Sequence, residues 1–170
     1  MKKGNSNFKW HVLYTRPKFE KQISQKIDQL QIENYLPVRT VLRRWSDRIK
    51  KIEEPLFSGY VFVKRGAIKG VDLLQIPGVV RFVSTGGVPD VISEEEISKI
   101  KLLASEGKDV QKEDFYSAGD HVMVTRGVFT GMEGTLIRSL NQETRFLVRL
   151  PLLKQAISVE IASSDLVMIH

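Results

Sequence analysis

The sequence predicts an α+β domain followed by a small β-barrel. Three observations carry that reading. Strand-like and helix-like apolar patterns alternate as far as Glu106, only short β-rich runs separated by turn signals follow Phe115, and the charge changes character between them. Of 170 residues, 26 are Lys or Arg and 20 are Asp or Glu, a net charge of +6. The first 106 residues hold 19 basic and 12 acidic side chains, net +7, whereas the remaining 64 hold 7 and 8, net −1. This asymmetry suggests two units with different partners. The basic unit invites nucleic acid or an acidic protein surface, with plain solubility as the alternative. The expected division is residues 1–106, a linker at 107–114, and a second domain at 115–170, short enough to have a thin core.

The elements of the first unit follow from local patterns. Phe8 to Tyr14 mixes alternation with aromatic and β-branched residues and reads as a strand. Pro17 sits where a helix would open, and Phe19, Ile23, Ile27 and Leu30 recur as one apolar stripe. Tyr35 to Val41 reads as a second strand, edge-like because of Pro37. Arg39 to Lys51 holds six basic residues and one acid, Asp47, and Trp45 with Ser46-Asp47 suggests a hairpin tip within it. A strand begins at Tyr60, entered irregularly through Pro55 and Gly59. Ile68 to Ile76 reads as a short helix, Val79 to Val83 as a strand, and Gly86-Gly87 with Pro89 as a turn. Ser93-Glu94-Glu95-Glu96 matches a capping box, with Ile97, Ile100, Leu103 and Ala104 as the apolar face of the helix it opens.

Gly107 to Glu113 is polar and aperiodic and reads as linker, a continuation of the preceding helix being the alternative. Five short strands then follow: His121–Thr125, Gly134–Ser139, Phe146–Leu150, Ile157–Ile161 and Leu166–Ile169. In Gly119–Gly134 a strand runs into a glycine-rich turn at Gly127 and Gly131, and Gly134 opens the next strand. Val122 and Val124 face one side there, His121 and Met123 the other.

Chemistry is sparse. Cysteine is absent and the three histidines, His11, His121 and His170, are far apart, so no disulfide, metal site or cofactor is expected. No phosphate-binding glycine loop, zinc-protease helix or nucleophile elbow is present. Ser98-x-x-Lys101 falls inside a predicted helix, Glu94–Glu96 suits a helix's first turn, and Asp120-His121 has no obvious nucleophile. No run of apolar residues is long enough to span a bilayer, and the N-terminus shows no signal-peptide core. The expectation is a soluble, cytoplasmic protein that is not an enzyme.

Four ordered strings resemble the NusG family of transcription elongation factors. These are Trp10–Tyr14, Glu54–Val63, Pro77-Gly78-Val79 with Phe82-Val83, and the glycine-rich stretch, which resembles the family's KOW motif with turn glycines Gly119, Gly127, Gly131 and Gly134. Ser58 stands where the family usually has proline. Leu13–Lys21 and Val41–Arg48 are similar to the specialised RfaH-like and UpxY-like antiterminators of polysaccharide operons, the housekeeping protein being the nearer alternative.

The resemblance implies an N-terminal NGN domain at 1–106, an SH3-like KOW barrel at 115–170, and an adaptor, not a catalyst. It implies that the N-terminal domain grips the clamp helices of RNA polymerase through an apolar hollow and suppresses pausing. Tyr14, Phe57, Tyr60 and Phe62 match the aromatic positions around that hollow, although such residues would serve equally as core. Arg16, Lys18 and Lys21 fall where specialised relatives read non-template DNA, and Arg43, Arg44 and Arg48 where a hairpin could touch upstream duplex, a solvated face being the alternative for both. Lys69 to Asp72 falls roughly where the family touches the opposite jaw of the polymerase. The KOW domain would recruit Rho, a ribosomal protein or neither, its slightly acidic character arguing against direct RNA binding. A monomer with no membrane partner is expected, and the β-branched, Gly-punctuated C-terminal segment favours strands over helices.

Overall fold

The computed structural model describes residues 8–66, 73–115, 118–138 and 144–170. The chain runs through β1 (Lys9–Thr15), α1 (Glu20–Gln29), β2 (Asn34–Tyr35), β3 (Val38–Arg44), β4 (Ile49–Pro55), β5 (Tyr60–Arg65), β6 (Val79–Phe82), β7 (Ser84–Thr85), β8 (Val88–Pro89) and α2 (Glu94–Glu106). It continues through β9 (Lys108–Glu113), β10 (Asp120–Val124), β11 (Glu133–Arg138), β12 (Thr144–Leu150), β13 (Gln155–Glu160) and β14 (Leu166–Met168). Two compact units form, Met1–Val38 with Phe57–Ile97, and Arg39–Leu56 with Ser98–His170.

The first unit is built on a four-stranded sheet in the order β2-β5-β1-β6. Its centre is the antiparallel pair β1 and β5, in register from Lys9 opposite Arg65 to Tyr14 opposite Tyr60. Alternation sends Leu13, Val61 and Val63 to the face that α1 covers, where they form one core with Ile23, Ile27, Leu73 and Ile76. Phe19 packs against this core, but Leu30 leaves the helical stripe as the C-cap and is 37% exposed. The helix also starts later than Pro17 predicts. Lys18 adopts a left-handed backbone (φ 71°) and the Phe19 N–H donates to the Arg16 carbonyl, so a turn precedes the helix.

Pro37 divides the predicted Tyr35–Val41 strand. Tyr35 pairs with Phe62 in the first sheet, whereas Val38 starts the separate β3–β4 hairpin, because proline cannot donate to a continuing ladder. Of the short helix expected over Ile68–Ile76, residues 67–72 lie outside the described residues, and Leu73–Gln75 form one 3-10 turn. The Gly86-Gly87 turn links β7 to β8 with both glycines at positive φ. The capping box forms as predicted: the Glu96 N–H donates to Ser93 Oγ at 3.1 Å, and the Ser93 N–H donates back to Glu96 Oε2 at 3.3 Å.

In the second unit a six-stranded antiparallel sheet runs β14-β10-β11-β12-β13-β9. All five predicted C-terminal strands are present. The polar stretch expected as linker is instead β9, paired with β13 from Ala156 opposite Glu113 to Glu160 opposite Lys108. Its partner is not an apolar stripe but a buried cation. Arg145, 3% exposed, donates from Nη1 to Asp109 Oδ2 at 3.0 Å and from Nη2 to the Asp109 carbonyl, and its Nε donates to Ser158 Oγ at 2.7 Å. Ser158 Oγ in turn donates to Glu113 Oε1 at 2.6 Å. A long-range charge network of this kind leaves no periodicity in the sequence.

Val122 and Val124 are buried while His121 is exposed, as alternation requires. The four turn glycines serve two different needs. Gly127 (φ 82°) and Gly131 (φ 84°) occupy the left-handed region with open space where a Cβ would lie. Gly119 and Gly134 are needed for close approach: a Cβ would lie 2.1 Å from the Leu136 carbonyl oxygen in one and 2.6 Å from the Leu147 carbonyl oxygen in the other.

Two stability outcomes follow. Gly127→Ala should cost about 1 kcal/mol and Gly134→Ala roughly 2–3 kcal/mol in urea unfolding. Equal costs would contradict the division between the two pairs. In the first unit, buried Glu20 accepts the Gly59 N–H at 2.7 Å. Glu20→Ala should therefore destabilise by about 1–3 kcal/mol, with Glu20→Gln, which keeps an acceptor, costing clearly less in the same assay.

Candidate functional site

Strand alternation places a second set of side chains on the sheet face opposite α1. Trp10, Val12 and Tyr14 of β1 stand opposite Lys64, Phe62 and Tyr60 of β5, Tyr35 of β2 stands opposite Phe62, and Arg81 of β6 opposite Tyr14. The face is therefore aromatic along most of its length.

Its four predicted residues separate into two pairs. Phe57 (1% exposed) and Phe62 (0%) are buried, with ring centroids 6.0 Å apart in a T-shaped contact. Tyr14 and Tyr60 are half-buried, cross-strand partners with centroids 5.6 Å apart. The Arg81 guanidinium lies 5.3 Å from the Tyr14 ring centre. The phenylalanines are thus buried, whereas the tyrosines stay partly exposed at the end of the β1–β5 pairing.

The turn that sets Tyr60 is built by Phe57-Ser58-Gly59-Tyr60. The Tyr60 N–H donates to the Phe57 carbonyl at 3.2 Å, and Gly59 takes φ 84°, the conformation a type II turn needs at its third residue. Ser58 fits the second position without a proline. The Gly59 carbonyl accepts the Thr15 N–H at 2.8 Å, and its own N–H is held by Glu20, so the turn is fastened to both β1 and α1. A carbon added at Gly59 would touch the Tyr14 ring at 3.4 Å.

At the other end of this face, Trp10 Nε1 donates to Glu94 Oε2 at 3.0 Å, and Lys64 Nζ meets Glu94 Oε1 at 2.5 Å. Glu94 therefore holds the Lys64 ammonium above the usual lysine range. Burial pushes the Tyr35 phenol up to about 12. On the α1 side, desolvation lowers the His11 pKa, and its Nδ1–H donates to the Asp90 carbonyl at 2.8 Å. Trp10, Tyr35, Arg81 and Glu20 are the parts of this surface that motif reading missed. Tyr35 could have been found from strand alternation, whereas Glu20 meets Gly59 across 39 positions and leaves no local signal.

The predicted basic residues occupy two places. Arg16, Lys18 and Lys21 are exposed on the turn and first helical residues after β1. Arg43, Arg44 and Arg48 are exposed on the β3–β4 hairpin, whose tip is closed by the Trp45 N–H donating to the Arg48 carbonyl at 2.8 Å. Glu54 organises the hairpin base. It accepts Arg39 Nε and Nη2 at 2.9 and 2.6 Å and Arg43 Nη2 at 3.2 Å, and the Arg39 hydrogen bonds hold its carboxyl below the usual range. Arg39 Nη1 also donates to Gln111 Oε1 of β9 at 2.7 Å, tying hairpin to sheet within the second unit. The jaw-facing expectation for Lys69 to Asp72 lies outside the described residues.

Among the described residues no group of three or more His, Asp or Glu side chains is placed to hold a metal. No helix among them is long and apolar enough to cross a membrane. The candidate site is a face made of aromatic, basic and backbone groups.

Comparison with known proteins bears on the family and the fold. The chain is 27% identical over 165 residues to the transcription termination/antitermination protein NusG of Rickettsia bellii, covering 91% of this chain and 86% of that one. It is 28% identical over 155 residues to the protein of the same name from Streptococcus pyogenes serotype M1, covering 83% and 86%. A solved structure of Thermotoga maritima NusG, described for its domain interaction, shares the fold with a TM-score of 0.60 at 24% identity, over 96% of this chain and 98% of that one. The family model described as NusG, transcription termination factor nusG, matches residues 8–101. With more than half its length matched by that model, the chain belongs to the NusG family of transcription termination and antitermination factors.

Proposed function

We propose that this chain is a non-catalytic elongation and antitermination factor that binds the clamp helices of RNA polymerase through the aromatic face of its N-terminal sheet. The observation that carries the proposal is the Tyr14–Tyr60 pair. The two rings are half-buried and 5.6 Å apart, Tyr60 closing a turn held by Glu20 and Tyr14 standing opposite it on β1. Rigid aromatics of this kind present large contact area at low entropic cost and dominate binding energy when a partner covers them. Phe57 and Phe62 are buried against each other in the same unit, and their contribution to binding is through the stability of the face.

The strings Leu13–Lys21 and Val41–Arg48 support a specialised role at polysaccharide-type operons. The names of the relatives above support a general role equally. Transcription past a pause site, with and without an operon leader in the template, separates the two. In either role the exposed Arg16, Lys18, Lys21, Arg44 and Arg48 supply a salt-dependent attraction to non-template or upstream DNA. Exposed Val128 in the glycine turn and Val167 and Met168 on β14 offer the C-terminal sheet apolar contacts for a protein partner such as Rho or a ribosomal protein.

The test is a titration of the full chain with a clamp-helix fragment of RNA polymerase. Tyr14→Ala and Tyr60→Ala should each weaken binding by more than about 1 kcal/mol while the variants unfold cooperatively like the parent. They are better probes than Phe57→Ala, because emptying that buried site costs about 3–5 kcal/mol of stability. Folded variants that bind as tightly as the parent would contradict the proposed surface.

A further inference from the structure

The hairpin tip carries more than positive charge. Trp45 is 45% exposed at the end of a two-stranded ribbon whose Leu42 and Ile49 are also exposed, at 66% and 68%. Two cations are drawn to the indole: Arg48 Cζ lies 5.7 Å and Lys50 Nζ 4.8 Å from the ring centre. From Leu42 to Lys51 the segment has five basic residues, Arg43, Arg44, Arg48, Lys50 and Lys51, against the single acid Asp47. Nothing there resembles a buried core.

We infer that Trp45 is a stacking platform for an unpaired nucleobase, with Arg48 and Lys50 receiving the flanking phosphates. This rests on the proposed nucleic-acid contact of the hairpin and sharpens it from duplex to single strand. Phosphate attraction alone needs cations and gains nothing from an exposed indole set between them. A duplex keeps its base faces stacked inside, so it offers the ring no aromatic partner. An unpaired base offers a π-face, and cations next to the indole strengthen the stack while meeting the backbone charge.

The platform is also preorganised. The Trp45 N–H to Arg48 carbonyl bond fixes the tip, and Glu54 with Arg39 and Arg43 fixes the base, so little ordering remains to be done on binding. An apolar protein partner is the competing occupant. The excess of basic groups around the ring favours a polyanion over it.

Intrinsic fluorescence reads the proposal directly, since the chain has two tryptophans and Trp10 is 1% exposed. The full chain is titrated with a short oligothymidylate, the matching oligouridylate, and a DNA duplex of the same length. Single strands should quench the exposed indole and bind about tenfold more tightly than the duplex. Comparison of the two single strands tells DNA from RNA. Trp45→Ala, followed by anisotropy of labelled oligonucleotide, should lower single-strand affinity about tenfold and leave duplex affinity unchanged. Trp45→Phe should retain part of the preference, and Lys50→Glu should weaken every nucleic acid and flatten the salt dependence. Equal affinity for single strand and duplex, no binding, or indifference to Trp45→Ala would overturn the inference. Those results would leave the Tyr14–Tyr60 surface standing, because it is scored on a different partner. Loss of clamp binding with single-strand binding intact would do the reverse.

Discussion

The grip of Glu20 on the Gly59 N–H is the contact on which the first unit's candidate face depends. A carboxylate is costly to bury unless its lone pairs are used, and this one, 3% exposed, is spent on a backbone donor 39 residues away. The turn thereby acquires two anchors, α1 through Glu20 and β1 through the Thr15 N–H. The β1–β5 register ends at this turn, so the same fastening that closes the sheet sets Tyr60 beside Tyr14. Stability of the fold and presentation of the candidate surface are one arrangement.

The sheet divides its labour by face. Leu13, Val61 and Val63 are consumed in the core beneath α1, while the alternate residues build an aromatic layer that deepens from half-buried tyrosines to buried Phe57, Phe62 and Trp10. The basic hairpin is a different kind of device. Its strands bury little, and its shape is kept by an ion-paired base at Glu54 and a hydrogen-bonded tip at Trp45 and Arg48. The exposed Arg43 pair contributes little stability by itself, but the same Glu54 carboxylate also holds the more sheltered Arg39 at the hairpin's base. The net charge of the N-terminal half thus finds much of its expression in the β3–β4 hairpin.

Period and turn chemistry made most of the architecture legible. The capping box at Ser93, the hairpin tip around Ser46-Asp47 and all five C-terminal strands depend on local rules, and the structure contains them. Pro37 was legible as an edge feature, yet its effect, a split between two sheets, required knowing where Tyr35 pairs. Strand β9 was not legible, because its stability comes from Arg145 and Ser158, more than thirty positions away. The candidate site was half visible. Family-like aromatics pointed to Tyr14, Phe57, Tyr60 and Phe62 together, and only burial, which leaves no local signal, divides them into half-buried tyrosines and buried phenylalanines.

Hydroxyl-radical footprinting of the full chain, alone and bound to core RNA polymerase, tests the central claim most directly. The account predicts that oxidation of the Tyr14 and Tyr60 rings slows strongly in the complex, because the partner covers the rings that the locked turn presents. Unchanged oxidation of both tyrosines in a demonstrably bound complex would contradict it and move the polymerase contact to another surface.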